Sequence, residues 1–244
     1  MTVETGPSDE LVRRCSGNLA AIRDRIAAAC RAAGRSLDEV TLVGVTKYVG
    51  VEVTAAVVVA GCHDLAESRP QQLWEKSAAL ADVTPAPRWH LVGHLQRNKV
   101  RRTLPVVSLI HTVDSPRLLE SLEAEAALAG RCCDILVEVN LAGDPGRSGV
   151  AVSDAAALVA AAASSPHVRL RGLMGMASHP DGVAADARRD FARLRELRDR
   201  LAPDVPPGML AELSMGMSGD FDAAILEGST IVRVGSALFE GFGG

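Results

Sequence analysis

Lysine is scarce in this sequence, whose positive charge is carried mainly by arginine. Of the 26 basic residues, the lysines are Lys47, Lys76 and Lys99. The unprotonated amine of a lysine can attack a carbonyl carbon and form a Schiff base, whereas the guanidinium of arginine stays protonated and does not. Carbonyl chemistry on this chain therefore has few candidate residues.

Lys47 follows an apolar run, residues 40–46, whose composition is typical of a β-strand. Side chains along a strand alternate between its two faces, so Val43, Val45 and Lys47 share one side. If that side faces an apolar interior, desolvation disfavours the charged ammonium and leaves the amine free to attack an aldehyde. The alternative is a lysine at a strand end that extends into solvent.

Two segments near the end of the chain have the composition of phosphate-binding loops. Residues 213–220 read Leu-Ser-Met-Gly-Met-Ser-Gly-Asp, and residues 230–236 read Thr-Ile-Val-Arg-Val-Gly-Ser. Small residues between a strand and a helix expose backbone N–H groups that, with the helix dipole, attract phosphate. An ordinary turn is the alternative for each loop.

Arg233 lies within the apolar run of the second segment. A buried arginine needs a group that accepts its hydrogen bonds, either a ligand or a carboxylate in a structural salt bridge. Together with Lys47 and the two loops, it predicts a ligand site.

Two further clusters carry weaker signals. His90 and His94 have a spacing that could suit a metal, but they straddle a predicted strand and the loop after it, so a place for His90 near a cofactor is preferred. The basic run 97–102 could contact phosphate or RNA, or form a solvated helix face. The net charge of −4 favours the solvated face.

The elements that must position these residues alternate regularly. An opening helix is predicted over residues 8–33, because Leu11, Leu19, Ile22 and Ile26 recur at helical spacing. Eight strands are predicted over residues 40–46, 62–66, 89–93, 107–113, 135–140, 170–176, 212–215 and 231–235. Helices are predicted between them over residues 51–60, 68–80, 95–103, 115–129, 152–164, 183–202 and 219–227.

This alternation predicts a parallel sheet, because parallel strands need a crossover connection. Eight strand–helix units in 244 residues fit a (β/α)₈ TIM barrel with an extra N-terminal helix, in a single domain over residues 1–244. An open doubly wound sheet is the alternative, and it depends on the strand at 62–66.

Composition narrows the possible functions. The charge of −4 gives no general attraction to nucleic acid or anionic membrane. The polar, acidic start is unlike a secretory signal, and no apolar run reaches the roughly 18 residues of a membrane span, so a cytoplasmic location is expected. The five cysteines lack paired spacings and are expected to be reduced and mostly buried.

Seven segments of the chain, in order, resemble the pyridoxal phosphate homeostasis protein family, whose fold is similar to the barrel domain of alanine racemase. They occupy residues 45–47, 89–99, 111–115, 139–140, 172–176, 213–220 and 228–235. Where the family usually has Phe-Gly-Glu-Asn after its second strand, this chain has Leu-Ala-Glu-Ser at 65–68. The loop at 147–149 has Arg147 where the family often carries lysine.

The resemblance implies that Lys47 holds pyridoxal 5'-phosphate as a Schiff base. The residues that it assigns to the phosphate are Ser218, Gly235 and Ser236. Ser214 and Met217 would line the pocket, and Arg233 would face the pyridine nitrogen. Because an arginine is already cationic, it leaves that nitrogen unprotonated and makes the ring a weak electron sink.

The function implied is storage, buffering or delivery of the cofactor without substantial turnover, with apo enzymes that use the cofactor as possible partners and a monomer as the expected state. The first alternative is an amino-acid racemase, which needs acid/base groups on both faces of the substrate. Related racemases supply a tyrosine from a second domain, whereas the sole tyrosine here, Tyr48, has the opposite strand parity to Lys47. A lysine-dependent aldolase barrel acting on phosphorylated sugars is the second alternative.

Overall fold

The computed structural model describes residues 6–178 and 184–242, and its core is a closed ring of parallel strands. Nine strands occur in chain order: β1 Thr41–Val45, β2 Asp64–Glu67, β3 Arg88–Leu91, β4 Leu109–Val113, β5 Cys133–Asn140, β6 Val150–Ala151, β7 Val168–Gly175, β8 Glu212–Ser214 and β9 Ile231–Val234. All eight predicted strands are present, including the one at 62–66 on which the open-sheet alternative depended. The short β6 was not predicted.

The ring closes because the first strand pairs with the last. The strand order β4-β3-β2-β1-β9-β8-β7-β5 is completed by pairing between β4 and β5, and β6 extends the edge of β5. Val43 of β1 lies opposite Arg233 of β9 in this register. The predicted (β/α)₈ TIM barrel is therefore confirmed.

Helices cover the outside of the barrel. They are α1 Asp9–Ala32, α2 Val51–Val59, α3 Pro70–Ala79, α4 Val100–Thr103, α5 Pro116–Leu128, α6 Ala155–Ala163, α7 Ala184–Leu201 and α8 Phe221–Leu226. The predicted helix 95–103 divides into a 3₁₀ turn at Arg97–Lys99 and the short α4. Residue 183 of the predicted helix 183–202 lies outside the described residues.

The N-terminal helix α1 supplies the outer layer that the last unit lacks. In the described residues after β9 the chain forms a 3₁₀ turn, Ser236–Phe239, and α1 packs against this turn, α8 and α2. The Asn18 amide donates to the carbonyl of Leu238 at 3.0 Å, and the Arg35 guanidinium donates to the carbonyl of Ser229 at 2.8 Å. The extra helix therefore closes the gap between the last and first units.

Two apolar layers lie on the two sides of the barrel wall. The larger layer, between strands and helices, contains Leu19 and Ile22 of α1 among many others. The smaller one fills the barrel interior with Val43, Val45, Ala66, Leu109, Leu136, Met174 and Ile231. The alternation of side chains along each strand assigns residues to one layer or the other.

Close backbone approach at β7 requires a glycine. A Cβ on Gly172 would lie 1.8 Å from the carbonyl oxygen of Glu212 in β8, which no side chain could relieve. Four of the five cysteines are buried, as expected, and Cys132 is exposed. Among the residues described, no helix combines the length and apolar composition that crossing a bilayer requires.

We expect Ile22→Ala in α1 to lower the free energy of unfolding by about 2–4 kcal/mol, because it opens a cavity in the outer layer. Ile22 is only 2% exposed. The measurement is urea unfolding followed by circular dichroism, with Arg13→Ala on the exposed face of the same helix as the control. Equal effects of the two substitutions would show that α1 does not pack on the barrel in solution.

Candidate functional site

The predicted site residues converge at the carboxyl ends of three neighbouring strands, β8, β9 and β1. Lys47 follows β1, Ser214 ends β8, and Arg233 lies in β9. Met217 and Ser218 belong to the loop after β8, and Gly235 and Ser236 to the loop after β9. In a (β/α)₈ barrel this end carries the functional site, so the structure brings all seven residues to one region.

Lys47 lies in the turn that follows β1, two residues after Val45 of the interior layer. Its side chain is half-buried, and its Nζ lies 4.8 Å from the centroid of the Tyr48 ring. Among the described residues it forms no ion pair within 4 Å. The amine is thus at the barrel mouth and not engaged by a carboxylate.

Lys76 has a different environment, which removes it as a candidate for carbonyl chemistry. It lies on α3, buried against the outer side of the barrel wall, and its Nζ donates to Glu67 Oε1 at 2.5 Å and to the carbonyl oxygen of Thr46 at 2.7 Å. The hydroxyl of Thr46 also donates to Glu67 Oε1, at 2.7 Å. This buried pair fixes the backbone immediately before Lys47. In the sequence, the three-residue spacing of Leu73 and Lys76, which places both on one helix face, is the signal that could have indicated a buried Lys76.

The two predicted phosphate loops touch each other. The backbone N–H groups of Gly235 and Ala237 both donate to Ser218 Oγ, at 3.2 Å and 3.4 Å. A Cβ on Gly235 would lie 3.3 Å from the carbonyl oxygen of Val45, so this loop runs closely past the end of β1. Because Ser218 Oγ accepts both N–H groups, its own proton is left to donate beside the strand that Lys47 follows, which suits a phosphate oxygen.

Arg233 is buried without a carboxylate partner. Its guanidinium donates to Ser214 Oγ at 2.7 Å and to the carbonyl oxygen of Gly175 at 3.2 Å, and no carboxylate lies within 4 Å of it in the described part of the chain. Burial lowers the pKa of Arg233 to about 10, against the opposing charges of Glu138 and Asp220. The salt bridge considered as the alternative for this residue is absent from the described residues, and its remaining donors are available to a ligand.

Ser214 continues into a line of polar groups inside the barrel that the sequence did not reveal. Its Oγ lies 2.9 Å from His111 Nδ1, His111 Nε2 lies 2.9 Å from His90 Nδ1, and His90 Nε2 lies 3.2 Å from Asp64 Oδ1. These groups with Arg233 are called the histidine relay: Arg233, Ser214, His111, His90 and Asp64. All five are buried.

Burial and neighbouring groups determine the protonation states of two residues of the histidine relay, His111 and Asp64. Burial, followed by the neighbouring His90 ring and the charge of Arg233, lowers the pKa of His111 well below its usual value. Burial alone would raise the pKa of Asp64, but hydrogen bonds from His90 and Arg88 outweigh it and lower the pKa overall. At neutral pH, His111 is therefore uncharged and Asp64 is a carboxylate.

Glu138 is a second buried group that sequence analysis missed, because it reads as part of an apolar strand. It lies on β5, four places from β1 around the ring, with the parity of the interior residue Leu136. Ser148 Oγ donates to its Oε1 at 2.6 Å, and burial raises the pKa of the carboxyl. The barrel thus carries a titratable carboxyl on the wall opposite Lys47.

The two histidines considered as a metal pair, and Ser68, do not form a common site. His90 belongs to the histidine relay, whereas His94 is exposed and lies 3.9 Å from Asp114, so the two histidines do not share a metal-like arrangement. Ser68 is half-buried at the end of β2, where the chain passes so close to Gly93 that a Cβ there would lie 2.1 Å from the Ser68 carbonyl oxygen.

Comparison with known proteins identifies the protein family to which this chain belongs. The chain matches the family model for the alanine racemase N-terminal domain over residues 17–241. It is 37% identical over 221 residues to the pyridoxal phosphate homeostasis protein of Aquifex aeolicus, covering 91% of this chain and 95% of that protein.

Solved structures agree with this result. PipY of Synechococcus elongatus, in a structure with PLP bound, matches with a TM-score of 0.81 at 33% identity, covering 92% of this chain and 99% of that one. Alanine racemase of Clostridium difficile matches with a TM-score of 0.74 at 16% identity, covering 95% of this chain and 58% of that one. The likeness to the racemase is one of fold.

We expect Lys76→Met to lower the free energy of unfolding by roughly 3–5 kcal/mol, because it leaves the carboxylate of Glu67 buried and unpaired. Replacing both partners, as Lys76→Met with Glu67→Leu, should recover most of this loss. Lys99→Met, at a half-buried lysine, is the matched control and should change stability by less than about 1 kcal/mol. Urea unfolding measures all three, and a loss at Lys76 no larger than at Lys99 would contradict the buried pair.

Proposed function

Because this chain belongs to the pyridoxal phosphate homeostasis proteins, within the alanine racemase N-terminal domain family, we propose that it binds pyridoxal 5'-phosphate at the mouth of its barrel. Its role is to store, buffer or deliver this cofactor. The observation that carries the proposal is Arg233, a buried cation whose hydrogen-bond partners among the described residues are neutral. It lies on β9, next to the strand that Lys47 follows and between the two phosphate-type loops in the chain order of the barrel end. A buried charge in this state is best explained by a ligand that accepts its free donors.

Lys47 supplies the amine that holds the cofactor. Its condensation with an aldehyde would form a carbon–nitrogen double bond and release water. Among the three lysines, Lys76 is committed to Glu67, and Lys99 lies on the 3₁₀ turn after β3, away from the phosphate-type loops. Lys47 alone combines a mouth position with those loops as neighbours.

The phosphate group would be held by the loops after β8 and β9. Ser218, Gly235 and Ser236 provide hydroxyl and backbone N–H donors, and the contact between Ser218 and Gly235 supports a single anion site shared by both loops. Met217 is half-buried in the first loop, where it can cover one side of a ring. Ser214 holds Arg233 and lines the pocket below it.

Arg233 is suited to a carrier because of its charge. The cofactor supplies an aldehyde and an electron-withdrawing ring, whose power to stabilise a carbanion depends on protonation of the ring nitrogen. A guanidinium facing that nitrogen donates a hydrogen bond and, being cationic, opposes protonation. This favours holding and releasing the cofactor over amino-acid chemistry.

The partners and location follow from the same role. Apo enzymes that require this cofactor would be its recipients, the working state would be a monomer, and the compartment would be the cytoplasm, where free pyridoxal phosphate serves such enzymes. The net charge of −4 supports a protein without nucleic-acid or membrane partners.

A racemase is the second candidate, and Glu138 is the observation that favours it. Racemisation needs a second acid/base group across the cofactor from Lys47. Glu138 is a buried carboxyl on the opposite wall, and burial raises its pKa toward the range useful for proton transfer.

We expect purified protein loaded with pyridoxal phosphate to be fixed by borohydride on a peptide that contains Lys47. The adduct is located by mass spectrometry. Lys47→Ala should abolish the adduct, whereas Lys99→Ala, the matched control, should leave it in place. An adduct on Lys76 or Lys99 in the unaltered protein would overturn the assignment of Lys47.

We expect no substantial racemase, transaminase or decarboxylase turnover from the loaded protein, because Arg233 keeps the ring a weak electron sink. The protein is incubated with L-amino acids while chirality and keto-acid formation are followed, and transfer is measured as recovered activity of an apo enzyme. Sustained racemisation that is lost in both Lys47→Ala and Glu138→Gln would establish the racemase instead.

A further inference from the structure

The histidine relay crosses the barrel interior from the site to the opposite end. Arg233 and Ser214 lie on β9 and β8, His111 and His90 on β4 and β3, and Asp64 is the first residue of β2. Asp64 is also bound by the guanidinium of Arg88, whose Nε donates to Oδ1 at 2.7 Å. The relay therefore joins a buried cation at the mouth to a carboxylate at the amino-terminal end.

The two ends of the relay fix the direction of every hydrogen bond in it. Arg233 can only donate, so the oxygen of Ser214 accepts from it, and the single proton of the hydroxyl is left for His111 Nδ1. His111 must then carry its proton on Nε2 and donate to His90 Nδ1. His90 in turn carries its proton on Nε2 and donates to Asp64.

The reverse direction is unfavourable. It would place the lone pair of His90 Nε2 against the carboxylate of Asp64, 3.2 Å away, unless His90 carried a second proton. It would also leave the hydroxyl proton of Ser214 without an acceptor, because its other hydrogen-bond partner in the described part of the chain is the guanidinium of Arg233. Buried donors without acceptors are costly, so the forward direction is the stable one.

The geometry points to a new role for three residues: His111, His90 and Asp64 are positioning residues that hold Ser214 and Arg233 in place through one directed chain of hydrogen bonds. Asp64 orders the chain from the far end, so that Arg233 and Asp64 act as an ion pair separated by neutral groups. This chain of hydrogen bonds is inferred from the distances in the structure, and its importance for the cofactor rests on the proposed function. In this chain of hydrogen bonds the Nδ1 atoms of both histidines are acceptors.

Substitution of Asp64 distinguishes a network with one fixed direction of hydrogen bonds from a network that only contributes to stability. Asp64→Leu removes the final acceptor and leaves one buried donor unpaired in either direction, the His90 Nε2–H in one and the Ser214 hydroxyl in the other. The two directions then have comparable energies, and His111, which does not touch Asp64, should become a mixture of tautomers. Asp64→Asn keeps an acceptor oxygen and should preserve the single direction.

The test is nitrogen-15 NMR of histidine-labelled protein without cofactor at neutral pH. The resonances are assigned by their loss in His90→Gln and His111→Gln. In the unaltered protein we expect both rings to be protonated on Nε2 only. In Asp64→Leu we expect a tautomer mixture at His111 and about tenfold weaker pyridoxal phosphate binding, and in Asp64→Asn less than about a twofold change.

Each result has a definite meaning. A ring protonated on Nδ1, or a doubly protonated His90, in the unaltered protein would refute the directed chain even if no variant folds. An unchanged His111 tautomer and unchanged cofactor affinity in Asp64→Leu would refute positioning by Asp64. Tautomers as expected in a protein that fails to bind pyridoxal phosphate would refute the proposed function and leave the chain intact.

Discussion

Pairing between the first and last strands is the contact on which the site depends. The register of β1 and β9 sets Val43 opposite Arg233 and brings Gly235 against the end of β1, where Lys47 follows. Residues almost 190 positions apart in the chain thus become neighbours at one end of a ring. Without closure, the amine, the guanidinium and the two phosphate-type loops would have no reason to face each other.

Closure also creates buried regions on both sides of the barrel wall, and the protein compensates charge in them in two ways. Behind the wall, Lys76 and Glu67 neutralise each other directly, which fixes the backbone before Lys47 at the cost of desolvating two ions. Inside the barrel, Arg233 has no such partner in the described residues and is connected to Asp64 through Ser214 and the two histidines. The pair of Lys76 and Glu67 stabilises the barrel wall, whereas the arrangement around Arg233 leaves hydrogen-bond donors available at the barrel mouth.

The sequence predicted the barrel well because strand and helix periodicity are local signals. All eight predicted strands are present, and Val43 and Val45 face the interior as their alternation implied. The site residues on β1, β8 and β9 could be placed because strand ends meet at one face. The histidine relay could not, since its contacts join residues 19 to 103 positions apart. Glu138 was hidden for another reason: one carboxyl in an apolar strand has no periodic signature.

Because the charge of Arg233 is only partly compensated, its site is less favourable energetically than the barrel around it. Desolvation of Arg233 lowers its pKa to about 10, so burial acts against its charge, and the neutral relay offsets only part of that cost. A ligand that accepts the free donors of Arg233 would recover the remainder on binding. In the proposed function this imbalance would contribute to the affinity for the cofactor, and the cationic character of Arg233 would keep the bound ring a weak electron sink. Binding without strong activation would then follow from one buried side chain.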